Sequence, residues 1–275
     1  MKLYHYCSLE TLFSIVKNKT IWFSDLLDSN DDKEDILIFK LFFEYCNSKE
    51  KMKNCENNIN ILSLNESEFI KAKAQTHIYG ICFTKKCDSI LHWMMYGKSN
   101  GVCLEFDMKK LKEYFSKLKC LQKPAVFRRV HYVDSCNDCH LQKLFNDTLS
   151  KCNGLIPNCF EQLIDISPLY KDKGWSAEKE WRIIIRDFVE KGIFNKSLPK
   201  VTFDENECKL NYIFKNNKPV FHYEVPLDLS FISKIIIGPN TKIGVKELYF
   251  KLTTANNEFE INEDDIIPSS LSYKN

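Results

Sequence analysis

The chain has few of the residues that break up or merely extend a polypeptide. Of 275 residues only eight are glycine and eight are proline, which excludes a collagen-like or linker-rich architecture. An excess of one charge is also missing. Thirty-nine basic and 37 acidic side chains leave a net charge of +2 and a pI near 7.9, so the overall balance points to neither nucleic acid nor an anionic membrane. Long apolar runs are absent: the most apolar stretch, Ile36 to Cys46, is interrupted by Lys40 and Glu44 and falls short of the ~20 residues of a membrane span. The opening MKLYHYCSLE has no apolar core and no small-residue cleavage site. It does not read as a secretory signal, and it predicts a cytoplasmic chain with no membrane partner. A phosphate-cradling loop is missing too, because Gly97 and Gly101 bracket Lys98, Ser99 and Asn100 without the order Gly-x-x-x-x-Gly-Lys-Ser/Thr.

What remains is a folded chain. Hydrophobic residues make up 44% and aromatics 13%, enough to bury a sizeable core. No composition break, linker or repeat divides it, so residues 1–275 are expected to form a single α+β domain. Leu3 to Tyr6 reads as a short strand. Ser8 then caps a helix whose Leu9, Leu12, Phe13 and Val16 share one face. Ile21 to Phe23 is a second short strand. The acidic loop Asp25 to Glu34 follows; its spacing is not that of a calcium loop, and it reads as a solvated helix N-terminus. Ile36 to Cys46 is a buried helix, Lys49 to Ser63 an exposed polar stretch, and Glu66 to Gln75 a further helix. Residues 34–76 are thus a peripheral helical insert before the strand His77 to Phe83.

Further on, a helix from Asp88 to Tyr96 turns Leu91, Met94 and Met95 to the core and places His92 and Tyr96 on another face. Val102 to Phe106 and Ala125 to Val133 are strands, with the helices Met108 to Leu118 and His140 to Cys152 around them. A short strand at Lys200 to Phe203 leads to a hairpin of Leu210 to Phe214 and Val220 to Val225 around Asn216-Asn217, with Pro219 at an edge. Ile232 to Ile237 is a buried strand, Ile243 to Leu252 a helix, and Phe259 to Ile261 the last strand. Cys136-Asn-Asp-Cys139-His140 has the form of a haem-attachment site, and Cys136, Cys139, Cys152 and Cys159 are candidate zinc thiolates. Without an export signal, free thiols are expected, with no haem, no disulfide and no metal.

The candidate chemistry lies in GWSAEKEWRIIIRDF, Gly174 to Phe188. The β-branched run Ile183 to Ile185 makes Trp181 to Ile185 a strand. Strand alternation puts Glu178 and Glu180 on one face, beside Trp175 and Trp181. Two neighbouring carboxylates raise one pKa by repulsion, which suits a catalytic acid. Spacing alone equally describes a charged strand edge, with both glutamates solvated or paired to Lys179 and Arg182.

The opening LYHYCSLETLFSIVKNKTIWFSD, the middle CFT…ILHWMMYG…GVCLEFD and the segment W…EKEWRII together resemble the bacterial DUF2971 family, a domain of unknown function. The likeness spans Leu3 to Ile185, with Cys7 where threonine or serine is usual and SNDDKE in place of an Asn-Asp-Pro loop. A second resemblance is to ADP-ribosyltransferases, especially the bacterial DNA-modifying kind. It rests on a histidine-bearing strand, a helix and a second short strand, with a glutamate leading an apolar strand later. It implies an ADP-ribosyltransferase-like core of mixed, mainly antiparallel sheets, with NAD as the substrate. His5 would then hydrogen-bond the adenosine ribose, and Trp22, Phe23 or Ser24 would line the nicotinamide pocket. Glu180 would be the catalytic glutamate and Glu178 its auxiliary, with a nucleic acid or protein as acceptor. Glu180→Gln is expected to remove the charge opposite an oxocarbenium ion with little change in stability. Two other readings stand beside it. One is a non-catalytic binding module in which Trp22, Trp93, Trp175 and Trp181 are core or interface anchors. The other is a metal-dependent hydrolase or nuclease using Asp31, Glu34 and Glu180.

Overall fold

The computed structural model describes residues 1–26, 34–50, 65–74, 77–97, 100–117, 125–152, 156–187, 208–215 and 217–272. In chain order the elements are β1 (Lys2–Cys7), α1 (Leu9–Asn18), β2 (Thr20–Asp25), α2 (Glu34–Glu50), α3 (Glu66–Ala74), β3 (His77–Thr84), α4 (Ile90–Met95), β4 (Val102–Asp107) and α5 (Met108–Lys117). Then come β5 (Val126–Arg129), β6 (His131–Val133), α6 (Cys139–Cys152), α7 (Ile156–Ile166), β7 (Tyr170–Asp172), β8 (Glu180–Asp187), β9 (Lys209–Lys215), β10 (Lys218–Pro226), β11 (Ile232–Ile237), α8 (Val245–Ala255) and β12 (Ile266–Pro268). The architecture is mixed α+β with a mainly antiparallel sheet, as the sequence implied. No helix among the described residues is long and apolar enough to cross a membrane.

Ten strands form the main sheet, in the order β12-β11-β4-β1-β3-β2-β10-β9, with β8 on the other edge of β3 and β5 beyond it. β3 is where the sheet forks. Its C-terminal Thr84 pairs with Tyr4 of β1, while Gly80 and Tyr79 pair with Ser24 and Asp25 of β2. Ile81 to Phe83 have no strand partner on that edge among the described residues. β1 and β2 diverge there because α1 joins them. Ser8 caps that helix by accepting from the Thr11 N–H at 3.2 Å, a contact that contributes about 1 kcal/mol. Its Leu12, Ile15 and Val16 are buried at helical spacing.

One face of the sheet carries the main core, where Leu12 of α1, Phe115 of α5 and Leu252 of α8 pack on Phe23, Ile183 and Ile235. The other face carries two smaller clusters. Phe39 and Phe42 of α2, Phe69 of α3, Phe145 of α6 and Leu163 of α7 cover Ile78 and Ile184, so the helices between 34 and 74 share a core instead of lying at the periphery. Tyr6, Trp93, Cys103 and Ile236 form the second cluster.

Several expectations are corrected. The strand expected over Ala125 to Val133 is two: β5 joins β8, and after Val130 the chain leaves to pair β6 with β7 in parallel. α4 turns His92 and Trp93 inward and leaves Leu91 and Met94 exposed, because the packing surface is Tyr6 and not a general apolar core. Phe259 and Ile261 are buried but lie outside any strand, and the last strand is β12. α7 and β7 had no sequence expectation. Cys208 is disulfide-bonded, against the expectation of free thiols throughout; the approach of two Cα atoms to bonding range is a tertiary property. The residues 51–64, the strand at Lys200 to Phe203, most of the acidic loop with Asp31, and Asn216 lie outside the described residues.

Candidate functional site

The fork in the sheet opens a cleft between β1, β2 and β3. Two adjoining cavities of about 340 and 380 Å³ share His5, Tyr6, Trp22, Ser24 and Tyr96 in their walls. The larger chemistry lies in the first, which also exposes Cys82, Lys171, Glu178, Glu180 and Arg182. Thus five of the six residues singled out in the sequence line one cavity: His5, Trp22, Ser24, Glu178 and Glu180. Phe23 does not. Successive strand residues face opposite ways, so Phe23 is fully buried in the main core against Phe115, at 5.4 Å between rings.

His5 stands at the fork itself. Its Nδ1 lies 2.9 Å from the carbonyl oxygen of Cys82, one of the β3 residues left without a strand partner on that edge. A carbonyl only accepts, so Nδ1 carries the proton and Nε2 is an acceptor. Burial pushes the pKa of this imidazole down, against the pull of that carbonyl, and the ring is neutral at pH 7. Trp22 packs against His222, with ring centroids 4.0 Å apart and planes tilted by 30°.

The two glutamates reach the cleft by a route that strand alternation does not give. Residues Lys173–Glu178 form a 3-10 helix, and β8 starts only at Glu180. Between them Lys179 adopts a left-handed conformation with φ 50 and ψ 44, which costs a non-glycine residue on the order of 1 kcal/mol and swings both carboxylates inward. Neighbours hold the backbone here. Thr84 donates its hydroxyl to the Glu178 carbonyl at 2.6 Å and His92 Nε2 donates to the same oxygen at 3.2 Å. The Glu180 N–H donates to the Tyr132 hydroxyl at 2.8 Å, and its carbonyl accepts from the Val130 N–H at 3.0 Å.

Both side chains are buried, at 3% and 6% exposure, and both are ion-paired. Lys171 Nζ lies 2.9 Å from Glu178 Oε2 and 3.0 Å from Glu180 Oε2. Arg182 forks onto Glu180, Nε to Oε1 at 2.7 Å and Nη2 to Oε2 at 3.2 Å, and donates Nη1 to the Pro168 carbonyl at 2.8 Å. The Tyr96 hydroxyl donates to Glu178 Oε1. The expected rise in a carboxylate pKa is therefore reversed at Glu180. Burial pushes its pKa up, but the Arg182 and Lys171 charges outweigh burial and hold it down at about 2. Glu180 is a fixed anion at neutral pH. Arg182 takes the pairing role expected of it, whereas Lys179 is exposed.

Sequence reasoning missed Lys171, which comes from a strand outside the main sheet and carries no local signal. His92 and Tyr96 were flagged as sharing a face, and both meet Glu178. Asp31 and the side chain of Glu34 lie outside the described residues, and among the described residues no group of three His, Cys, Asp or Glu is placed to hold a metal. Cys136 is half-buried and Cys139 exposed, both as free thiols.

The segment that carries the paired charges also carries the family likeness. Residues 92–183 match the model of DUF2971, described as a protein of unknown function. The DUF2971 match begins at His92 and takes in Tyr96, Lys171, Glu178, Glu180 and Arg182, while His5, Trp22 and Ser24 lie ahead of it. No curated protein and no solved structure matches the chain.

Proposed function

We propose that this DUF2971 chain is an NAD-dependent ADP-ribosyltransferase-like enzyme built on an ADP-ribosyltransferase-like core. The observation that carries the reading is the meeting of His5, Trp22 and Ser24 with Glu178 and Glu180 in one cavity of about 340 Å³ at the fork of the sheet. Cleavage of the nicotinamide–ribose bond passes through an oxocarbenium-like state. A buried, permanently ionised carboxylate held on a strand stabilises such a cation without reorganising.

Glu180 keeps room for a ligand although it is well paired. A carboxylate offers about four lone-pair sites; two take Arg182, one takes Lys171, and the Cys82 thiol, a weak donor, takes part of the rest. A ribose hydroxyl replaces that thiol at a gain, since O–H is the stronger donor. His5 Nε2 accepts from a second hydroxyl, and Trp22 offers a flat apolar ring. Glu178 orients the acceptor, a nucleic acid or a protein.

A second reading is favoured by one observation: the four charges of Lys171, Glu178, Glu180 and Arg182 balance without any ligand. On that reading the cleft binds and does not react. The deciding experiment pairs calorimetric titration of NAD with nicotinamide release, for wild type and Glu180→Gln, with water, DNA, RNA and protein as acceptors. Release that falls about 10²-fold in the variant supports the transferase. NAD binding without release supports the binding module, and no binding of NAD refutes both NAD readings.

A further inference from the structure

Lys171 is an odd residue to find where it is. It is 7% exposed, sits on the three-residue strand β7, and belongs to a two-stranded sheet separate from the one that carries Glu180. Its ammonium nonetheless crosses to the cleft wall, lies 2.9 and 3.0 Å from the two carboxylates, and passes 5.6 Å over the Trp175 ring. A buried lysine is desolvated at a cost that only well-placed partners offset. Here the same ammonium serves both acids, so their nearest oxygens lie within reach of each other and would repel if it were absent.

We infer that Lys171 is a positioning residue, the cation shared by Glu178 and Glu180 that lets the two carboxylates stand side by side on the cleft wall. The inference rests on the transferase reading for its chemical purpose, but its electrostatics do not. Other groups facing the pair cannot substitute for it. Arg182 forks onto Glu180 and donates to the Pro168 carbonyl. From α4 and its end, His92 donates to a backbone carbonyl while burial keeps its pKa low, and Tyr96 supplies a neutral hydroxyl. From β3 and β6, Cys82 and Tyr132 are neutral, burial holding both pKa values up. Asp25 of β2 also lines the cavity and is not a cation.

The test compares wild type, Lys171→Met, Lys171→Arg and the double variant Lys171→Met/Glu178→Gln, each as the full chain. Carboxyl-detected NMR follows the titration of Glu180 without ligand, and nicotinamide release is followed against pH. In Lys171→Met the Glu180 transition moves up by about one pH unit or more, because two acids then face one guanidinium, and the acid limb of the release profile moves with it. Lys171→Arg keeps both near wild type. The double variant removes one charge of each sign and brings the Glu180 transition back down. A purely structural lysine gives another pattern: Lys171→Met leaves the transition where it was, or the double variant is no better than the single. Either result overturns the inference. Should Lys171→Met fail to fold, the double variant decides alone: folding with a low Glu180 transition supports the coupling, and failure to fold or a raised transition overturns it. Wild type that neither binds NAD nor releases nicotinamide, with the titrations as expected, removes the transferase reading and leaves the role of Lys171 standing.

Discussion

Glu180→Gln is the change whose cost follows most directly from the geometry. The side chain is buried, its carboxylate is bound by Arg182 and Lys171, and its pKa is held at about 2 from an ordinary 4.5. Each unit of depression is worth about 1.4 kcal/mol, so the charged form contributes on the order of 3 kcal/mol at pH 7. A second route agrees, since removing one partner of a buried ion pair costs about 3–5 kcal/mol. Glutamine also turns an amide N–H₂ towards two donors. The expectation from the sequence, little change in stability, is therefore replaced by a marked loss. The sign of the pH dependence is fixed. A depressed pKa contributes stability above the unfolded value, and that contribution is lost as pH falls from about 4.5 towards 2. By pH 3 roughly 1 kcal/mol remains. Urea unfolding of both proteins at pH 7 and pH 3, followed by circular dichroism, should show the gap between them narrowing by about 2 kcal/mol. Other acids are common to both proteins and cancel. A gap that is the same at the two pH values refutes the ion-pair account of Glu180.

Gly101→Ala tests the close packing beside the cleft: a Cβ there would lie 2.1 Å from the Cys7 carbonyl oxygen and 2.6 Å from that of Gly97. Both obstacles are backbone, so a loss of about 3 kcal/mol or more is expected, read as a lowered Tm or no soluble protein; Gly244→Ala, which meets nothing within 4 Å, is the control and should cost no more than the roughly 1 kcal/mol of a poorer N-cap for α8. The disulfide at Cys208 predicts fewer than twelve titratable thiols in the denatured chain without reductant and all twelve with it. Reductant should also lower Tm, by the equivalent of about 2–4 kcal/mol.

Local patterns were readable in proportion to how local their physics is. Ser8 as a helix cap depends on residues three apart, and it caps α1 by the bond expected. Ile183 to Ile185 and the pair of runs around Asn216-Asn217 form β8 and the β9–β10 hairpin because β-branched and aromatic residues suit a strand whatever packs on it. Patterns that depend on a partner failed. The strand expected over Ala125 to Val133 alternates through Val126, Arg128, Val130 and Tyr132, yet it divides where Val130 bonds to Glu180 and the chain passes to another sheet. Leu91 and Met94 have the spacing of a core face, but α4 meets the ring of Tyr6 and buries His92 and Trp93.

The candidate site divides along the same line. The sequence by itself determined which residues had the chemistry: His5 on a short strand, Trp22, Phe23 and Ser24 on the next, of which Phe23 proved to face the core, and two glutamates ahead of an apolar strand. Only the tertiary structure decided that these meet. It did so through the fork at β3, which depends on pairings between residues some 80 apart, such as Tyr4 with Thr84. It also decided the charge on Glu180. Spacing shows the repulsion between Glu178 and Glu180 but not the Lys171 ammonium between them, because electrostatic energy depends on distance and burial, and neither exists until the chain has folded.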